Sequence, residues 1–242
     1  MQRATIPGTP IILSPALRSS PGRLSVGREA AGIGDHLGRA LRALGILWPE
    51  MHAEVERRTA LVVPIDEPGL VSYSLASRPG VSFINVLGKR VIELADDLLH
   101  EMAHHLLHDF QEIATLLNPG AETAEVQAFD SPWRGTRRPL HGVLHGCYTF
   151  LFRAELLIRL RDVRGAPCRL LVSLLGRSFP DFARREARRE MGMLREGLRQ
   201  LETAARAGLL TDAGRRLVHA MRVWYAHLAT SGKSVQYSGR NR

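Results

Sequence analysis

The stretch from Asp96 to His108 constrains this chain more than any other part of its sequence, because it reads D-D-L-L-H-E-M-A-H-H-L-L-H. It contains the pattern H-E-x-x-H at His100, Glu101 and His104, inside a run with neither Gly nor Pro. On an α-helix, side chains four residues apart lie one turn apart on the same face. Two imidazoles placed in this way can bind one metal ion, with Glu101 at the flank of that face. The stretch therefore predicts a metal-binding helix.

A third protein ligand has to come from outside this helix. The metzincin extension of the motif, H-E-x-x-H-x-x-G-x-x-H, places a Gly and a His further along the same stretch. Leu107 and Phe110 occupy those two positions, which excludes that class of metalloprotease. The best candidates are His145 and His141, four residues apart in an apolar segment that predicts a helix over 140–162. A histidine on a neighbouring helix can complete the site that the first pair begins.

The charge and the two cysteines narrow the class of protein. Lys and Arg number 33 against 24 Asp and Glu, so the net charge of +9 favours acidic partners. Nucleic acid is a weak candidate, because aromatic residues make up only 6% and do not alternate with the basic ones. Two cysteines, Cys147 and Cys168, are too few for a disulfide framework. Pro7 and Pro10 interrupt the N-terminal segment in which a signal peptide would need a continuous apolar stretch. No apolar run is long enough to span a bilayer. We expect a cytoplasmic protein with no membrane partner.

The order of periodic segments predicts an α+β fold, mainly helical, with a small β-sheet preceding the central metal helix. Short β-branched or alternating runs at 61–65, 71–75 and 80–85 predict the strands. We expect a flexible N-terminal arm over 1–30, a single catalytic domain over 31–230 and a frayed basic tail over 231–242. Helical spacing predicts the helices at 35–48, 50–58, 89–108, 111–117, 140–162, 180–205 and 211–228.

Several short motifs together resemble a known family. They are His100-Glu101-Met102-Ala103-His104, Pro132-Trp133-Arg134, Arg138-Pro139-Leu140 and His145-Gly146-Cys147-Tyr148-Thr149-Phe150. This combination is similar to the HExxH-motif domain of peptide-modifying clusters, the HExxH-type peptide β-hydroxylases. The resemblance covers about residues 35–160 and is densest over 95–152. It is far more specific than H-E-x-x-H alone.

The resemblance implies an iron(II)- and 2-oxoglutarate-dependent dioxygenase. Such an enzyme uses O2 to hydroxylate the Cβ atom of a residue in a ribosomally synthesised precursor peptide. His100, His104 and His145 would then bind the iron and leave open positions for the 2-oxo acid and dioxygen. The distal carboxylate of 2-oxoglutarate needs a cation, for which Arg138 is the first choice and Arg134 the second.

A zinc-dependent metallopeptidase is the alternative reading of the same motif. There, the two histidines bind zinc and Glu101 acts as the base on metal-bound water. Imidazole suits both zinc and iron, so the residues alone leave the metal open. For substrate capture, we expect a peptide to pair with 80–85 as an edge strand, and its acidic part to meet Arg184, Arg185, Arg188 and Arg189.

Overall fold

The computed structural model describes residues 4–14, 16–19, 23–26, 30–121 and 129–231. The protein is 64% helical, with seven helices in these ranges. Its larger sheet is built from strands that all precede the third helix. This confirms the predicted class, a mainly helical α+β fold with a small sheet before the H-E-x-x-H helix.

The elements have the following bounds. The helices are α1 (Ala30–Leu47), α2 (Pro49–Arg58), α3 (Val91–Ile113), α4 (Leu140–Asp162), α5 (Gly165–Leu175), α6 (Phe179–Arg206) and α7 (Asp212–Ser231). The strands are β1 (Ile12–Leu13), β2 (Ala16–Ser19), β3 (Arg23–Val26), β4 (Leu61–Ile65), β5 (Tyr73–Ser74), β6 (Val81–Asn85), β7 (Phe129–Ser131) and β8 (Thr136–Arg138).

The metal helix is longer than its predicted range of 89–108. Helix α3 continues to Ile113, so the separate helix predicted over 111–117 is wrong. After the helix ends, Leu116 and Leu117 are buried in the same core as Leu107 of α3, and Leu117 forms a bridge with Leu210. Helix α4 has the bounds predicted from its periodicity. Helix α5, by contrast, was not predicted.

By its contacts, the chain divides into two compact units, and residues 1–106 with 162–181 make up the first. Its sheet has the strand order β3-β2-β4-β6-β5, with β1 also paired to β4. Strand β6 lies between β4 and β5, and Phe83 and Ile84 are both buried. The prediction that 80–85 is an edge strand is therefore wrong. The edge on that side is β5, whose Tyr73 stacks on Phe83 with ring centroids 4.6 Å apart.

Residues 1–30, which we predicted to form an arm, contribute β1, β2 and β3 to the sheet. Strand β1 runs parallel to β4, and the side chains of Ile6 and Ile11 beside it are fully buried. Because Pro and Gly are frequent in this stretch, its apolar residues show no regular period from which strands could be predicted. The predicted tail lies outside the described residues, apart from Ser231 at the end of α7.

The second unit comprises 107–161 and 182–242. Helix α4 buries residues around most of its circumference, which is the pattern of a helix packed on several sides. Helices α6 and α7 contribute Leu194, Leu198, Val218 and Met221 to the same core. Thr211 caps the N-terminus of α7, because its Oγ1 accepts a hydrogen bond from Gly214 N at 3.1 Å.

Candidate metal centre

Helix α3 presents histidines on successive turns. His100 and His104 are one turn apart, and their rings meet edge to face with centroids 4.9 Å apart. His108 follows one turn after His104. The helix therefore offers two overlapping pairs with the same spacing, and His104 belongs to both.

Helix α4 brings the distant histidine to this row. The ring centroids of His108 and His145 lie 5.6 Å apart, and those of His141 and His145 lie 6.4 Å apart. The ligand nitrogens of His104, His108 and His145 all lie within 4.8 Å of one another, as a metal-binding group requires. Two of the three predicted ligands, His104 and His145, are thus together. His100 is outside this group, and its role as a ligand stays a prediction.

The surroundings keep two of these imidazoles neutral. Burial, together with smaller effects of the neighbouring His108 and His141, lowers the pKa of His145 to about 4. Burial also lowers the pKa of His108, although Asp109 and Glu112 oppose this shift. A neutral imidazole has a free lone pair, so both side chains are in the form that binds a metal at pH 7.

His105, the remaining histidine of this stretch, has a different contact. Its Nε2 lies 3.2 Å from Ser82 Oγ of β6, and both side chains are buried. One residue after His104, His105 is turned by about 100° around α3, so it faces another side of the helix than the metal pair.

Glu101 is deeply buried, with 1% of its surface exposed. Burial raises the pKa of its carboxyl to about 8, with the nearby Ser74 hydroxyl and Lys89 opposing the shift and Asp97 adding to it. Glu101 Oε2 has no hydrogen-bond partner of good geometry within the described residues. The Ser74 hydroxyl is thus close enough to affect the carboxyl without satisfying it. In the metal-free chain Glu101 is protonated at pH 7 and keeps one oxygen available.

The P-W-R motif lies in the hairpin formed by β7 and β8, and its tryptophan anchors the hairpin. Trp133 Nε1 donates a hydrogen bond to Glu190 Oε1 of α6 at 2.6 Å. Its ring stacks on Phe150 of α4, with centroids 4.6 Å apart and planes 5° apart. Arg153 Nε lies 3.5 Å from the other oxygen of Glu190, whose side chain is almost fully buried. Sequence reasoning missed Glu190 and Arg153, because no local pattern marks them.

Two glycines make room for this tryptophan. A methyl group at Gly146 of α4 would lie 3.2 Å from Trp133 Cε3. At Gly197 of α6 it would lie 2.6 Å from Cys147 Sγ and 3.0 Å from Trp133 Cη2. Real Cβ atoms do not come as close as 2.6 Å, so α6 needs glycine at 197, whereas a side chain at Gly146 would require the tryptophan ring to move by a few tenths of an ångström.

Arg138 ends β8 and is half-buried, whereas Arg134 at the hairpin tip is exposed. A methyl group at Gly142 would lie 3.4 Å from Arg138 Nε, so this side chain lies over the first turn of α4. His145 follows one turn later on that helix. Within the described residues, no carboxylate pairs with Arg138 or Arg134. A half-buried guanidinium in this position is suited to bind an anion.

The donor set fits a metal ion of the kind that the sequence predicts. Neutral imidazoles suit iron and zinc alike. The buried Glu101 Oε2, which lacks a hydrogen-bond partner, could accept a hydrogen bond from a molecule bound to such a metal. No protein-family model matches this chain, and no curated protein matches it. Among the helices in the described ranges, none is both long and apolar enough to cross a membrane.

Proposed function

We propose that this protein is an iron(II)- and 2-oxoglutarate-dependent hydroxylase acting on Cβ of a residue in a ribosomally synthesised precursor peptide. The observation that carries the proposal is the group of imidazole nitrogens within 4.8 Å of one another at His104, His108 and His145. The reaction class comes from the family resemblance of the motifs around it. When bound, iron(II) with 2-oxoglutarate and O2 as co-substrates supplies hydroxylation of an unactivated carbon.

In this proposal, His100, His104 and His145 hold the iron. His104 and His145 belong to the observed group, and His100 completes the H-E-x-x-H pair on the other side of His104. His108 is the neighbouring imidazole that competes for this role. Three neutral ligands leave coordination positions for small anions and dioxygen.

Arg138 would bind the distal carboxylate of 2-oxoglutarate, with Arg134 as the second choice. Arg138 has the burial that makes such a contact strong, since a guanidinium shielded from water binds a carboxylate more tightly. Its position over Gly142 places it one turn before His145. Trp133 holds the hairpin from which both arginines extend.

Glu101 would orient the substrate or a metal-bound ligand by a hydrogen bond. In the metal-free chain its raised pKa leaves a proton on the carboxyl at neutral pH, so that it can donate as well as accept. A carboxyl kept neutral by burial differs in this respect from an ionised general base.

The direct test is anaerobic loading of the metal-free chain with iron(II), followed by addition of O2, 2-oxoglutarate and candidate peptides. Peptide-dependent formation of succinate, with a peptide product heavier by one oxygen atom, is the expected result. The zinc-loaded chain is the matched control and should form no succinate. Absence of succinate with every peptide from the neighbourhood of the gene would contradict the proposal.

A zinc peptidase is the second candidate, and the unsatisfied Glu101 Oε2 favours it. A bound zinc ion would lower the pKa of a nearby carboxyl, which could then take a proton from metal-bound water. In that enzyme, Glu101→Gln abolishes cleavage while zinc stays bound. Zinc-dependent cleavage without any need for 2-oxoglutarate would establish the peptidase in place of the hydroxylase.

A further inference from the structure

Helix α6 directs two of its carboxylates toward the core. Glu190 accepts a hydrogen bond from Trp133 Nε1, and Glu186 Oε2 lies 3.6 Å from Arg153 Nη2. Further along, Glu196 Oε1 accepts a hydrogen bond from Arg199 Nη2 at 2.5 Å, and Glu202 Oε1 lies 2.6 Å from Arg222 Nε. These four carboxylates of the helix are therefore occupied.

The opposite face of the helix is basic and exposed. We call it the arginine face and define it as Arg185, Arg188, Arg189 and Arg195. Within the described part of the chain, Arg185, Arg188 and Arg189 make no ion pair. The face extends over about 15 Å, because each helical residue adds about 1.5 Å. A row of exposed like charges is unfavourable unless counter-ions or a partner balance it.

The arginine face lies on the same turns of α6 that contact the hairpin of the proposed active site, on the other side of the helix. Trp133 contacts α6 at Glu190 and at Gly197, one residue after Arg189 and two residues after Arg195. The hydrogen bond and charge of Glu196 and, more weakly, the charge of Asp130 in β7 raise the pKa of the Arg199 guanidinium, so β7 lies near this part of α6. The helical turns that carry the arginines are thus the turns that hold the hairpin with Arg134 and Arg138.

We propose that the arginine face docks an acidic segment of the peptide substrate. The identification of this partner as substrate rests on the proposed function, whereas the docking itself does not. Guanidinium groups in a row match carboxylates along an acidic peptide, through paired and charge-assisted hydrogen bonds. A nucleic acid is less well matched, because the described face offers no exposed aromatic side chain on which a base can stack.

The test measures binding of a fluorescent synthetic peptide rich in Glu and Asp, with a Gln- and Asn-rich peptide as control. Fluorescence anisotropy is recorded for the metal-free chain and for a variant carrying R185E, R188E, R189E and R195E. A matched variant carries R42E, R78E, R169E and R177E, which removes the same charge from exposed sites elsewhere. We expect affinity to fall by about tenfold or more in the first variant and far less in the second.

Salt provides a second measurement. The binding should weaken as the Debye length falls from about 10 Å at 0.1 M to about 3 Å at 1 M salt. Equal loss in both variants would show a response to net charge alone and overturn the proposal, as would unchanged binding in the first variant. Stronger competition by duplex RNA than by the acidic peptide would overturn the choice of partner.

A folding defect in the variant must be distinguished from a loss of docking. If the Glu variant fails to fold by circular dichroism, the Arg→Gln set at the same four positions replaces it, with the same expected direction. If the acidic peptide still binds but no succinate forms, only the proposed hydroxylase activity is refuted. If succinate forms but the acidic peptide does not bind the arginine face, only the proposed docking surface is refuted.

Discussion

Trp133 Nε1 donates a hydrogen bond to Glu190 Oε1 across 57 positions of sequence, at 2.6 Å. This bond joins the P-W-R hairpin to helix α6, and Arg153 approaches the same carboxylate from α4. A motif that resembles a catalytic signature thus contains a structural anchor, and both arginines proposed to bind 2-oxoglutarate, Arg134 and Arg138, follow it in the sequence.

Trp133→Phe should lower the free energy of unfolding by about 1–3 kcal/mol, because it leaves a buried carboxylate oxygen without its donor. It should also raise the 2-oxoglutarate concentration needed for half-maximal succinate formation. Trp224→Phe is the control, since Trp224 Nε1 makes a bond of equal length to Glu155 Oε2 away from the hairpin. Urea unfolding should show both losses. If the two variants changed the 2-oxoglutarate concentration for half-maximal succinate formation equally, Trp133 would have no specific role in anchoring the hairpin.

Two glycines of α6 should respond in opposite ways to alanine. Gly197→Ala should destabilise the protein by about 1–3 kcal/mol, because its methyl group would collide with Cys147 and Trp133. Gly192→Ala meets no atom within 4 Å and should stabilise the helix by about 0.5–1 kcal/mol. Thermal unfolding of the two variants checks this, and a shift of the same sign in both would refute it.

Alanine substitution should identify the metal ligands. His104→Ala and His145→Ala should each abolish stoichiometric iron binding, and His100→Ala should do the same under the proposed set. His108→Ala should keep most of the metal, because the H-E-x-x-H pair remains. Metal content after dialysis provides the measurement. The reverse result for His100 and His108 would move the site one turn along α3.

Arg138→Lys should lower the affinity for 2-oxoglutarate by about tenfold or more while iron binding stays intact, because lysine keeps the positive charge but lacks the planar guanidinium group. The exposed Arg137 is the matched control, and Arg137→Lys should have little effect. Gly142→Ala changes the surroundings of Arg138 only slightly, since its methyl group would lie 3.4 Å from Arg138 Nε, and it should affect 2-oxoglutarate binding less than Arg138→Lys does. Unchanged 2-oxoglutarate dependence in Arg138→Lys and Arg134→Lys would assign the carboxylate to another residue.

Glu101 should make the stability of the metal-free chain fall as pH rises. Its pKa of about 8 in the folded state exceeds the value of 4.5 for an unperturbed carboxyl. Between these values the folded chain holds a proton that the unfolded chain has lost, so its contribution to stability declines from about pH 4.5 to about pH 8. Glu101→Gln removes this dependence and should stabilise the chain at pH 8 by on the order of 3 kcal/mol. Urea unfolding at pH 5 and pH 8 measures the difference, and parallel changes in both proteins would refute it.

The sequence predicted those parts of the fold that depend on local periodicity. Helix α4 has its predicted bounds, and β4 was found because its β-branched run is short and continuous. The strand order was not predictable in the same way. Strand β6 alternates only weakly, and its place between β4 and β5 depends on pairing that a single segment does not encode.

In the candidate site, too, local features were predictable and long-range contacts were not. Local spacing predicted the row of histidines on α3, and the spacing of His108 from His104 was visible as well. Which of these imidazoles meets His145 depends on how the side chains of two helices pack. The Glu190–Trp133 bond joins distant residues with no motif at Glu190, so sequence reasoning had no signal for it.

The burial of Glu101 also determines the charge that an incoming cation meets. Below about pH 8 the carboxyl of the metal-free chain adds no negative charge beside His100. A double positive charge bound next to it would favour the ionised form, because an opposite charge lowers the pKa of a carboxyl. An arriving cation would therefore release a proton from Glu101. Uptake of metal by the chain should for this reason acidify a weakly buffered solution at pH 7, and Glu101→Gln should reduce that release.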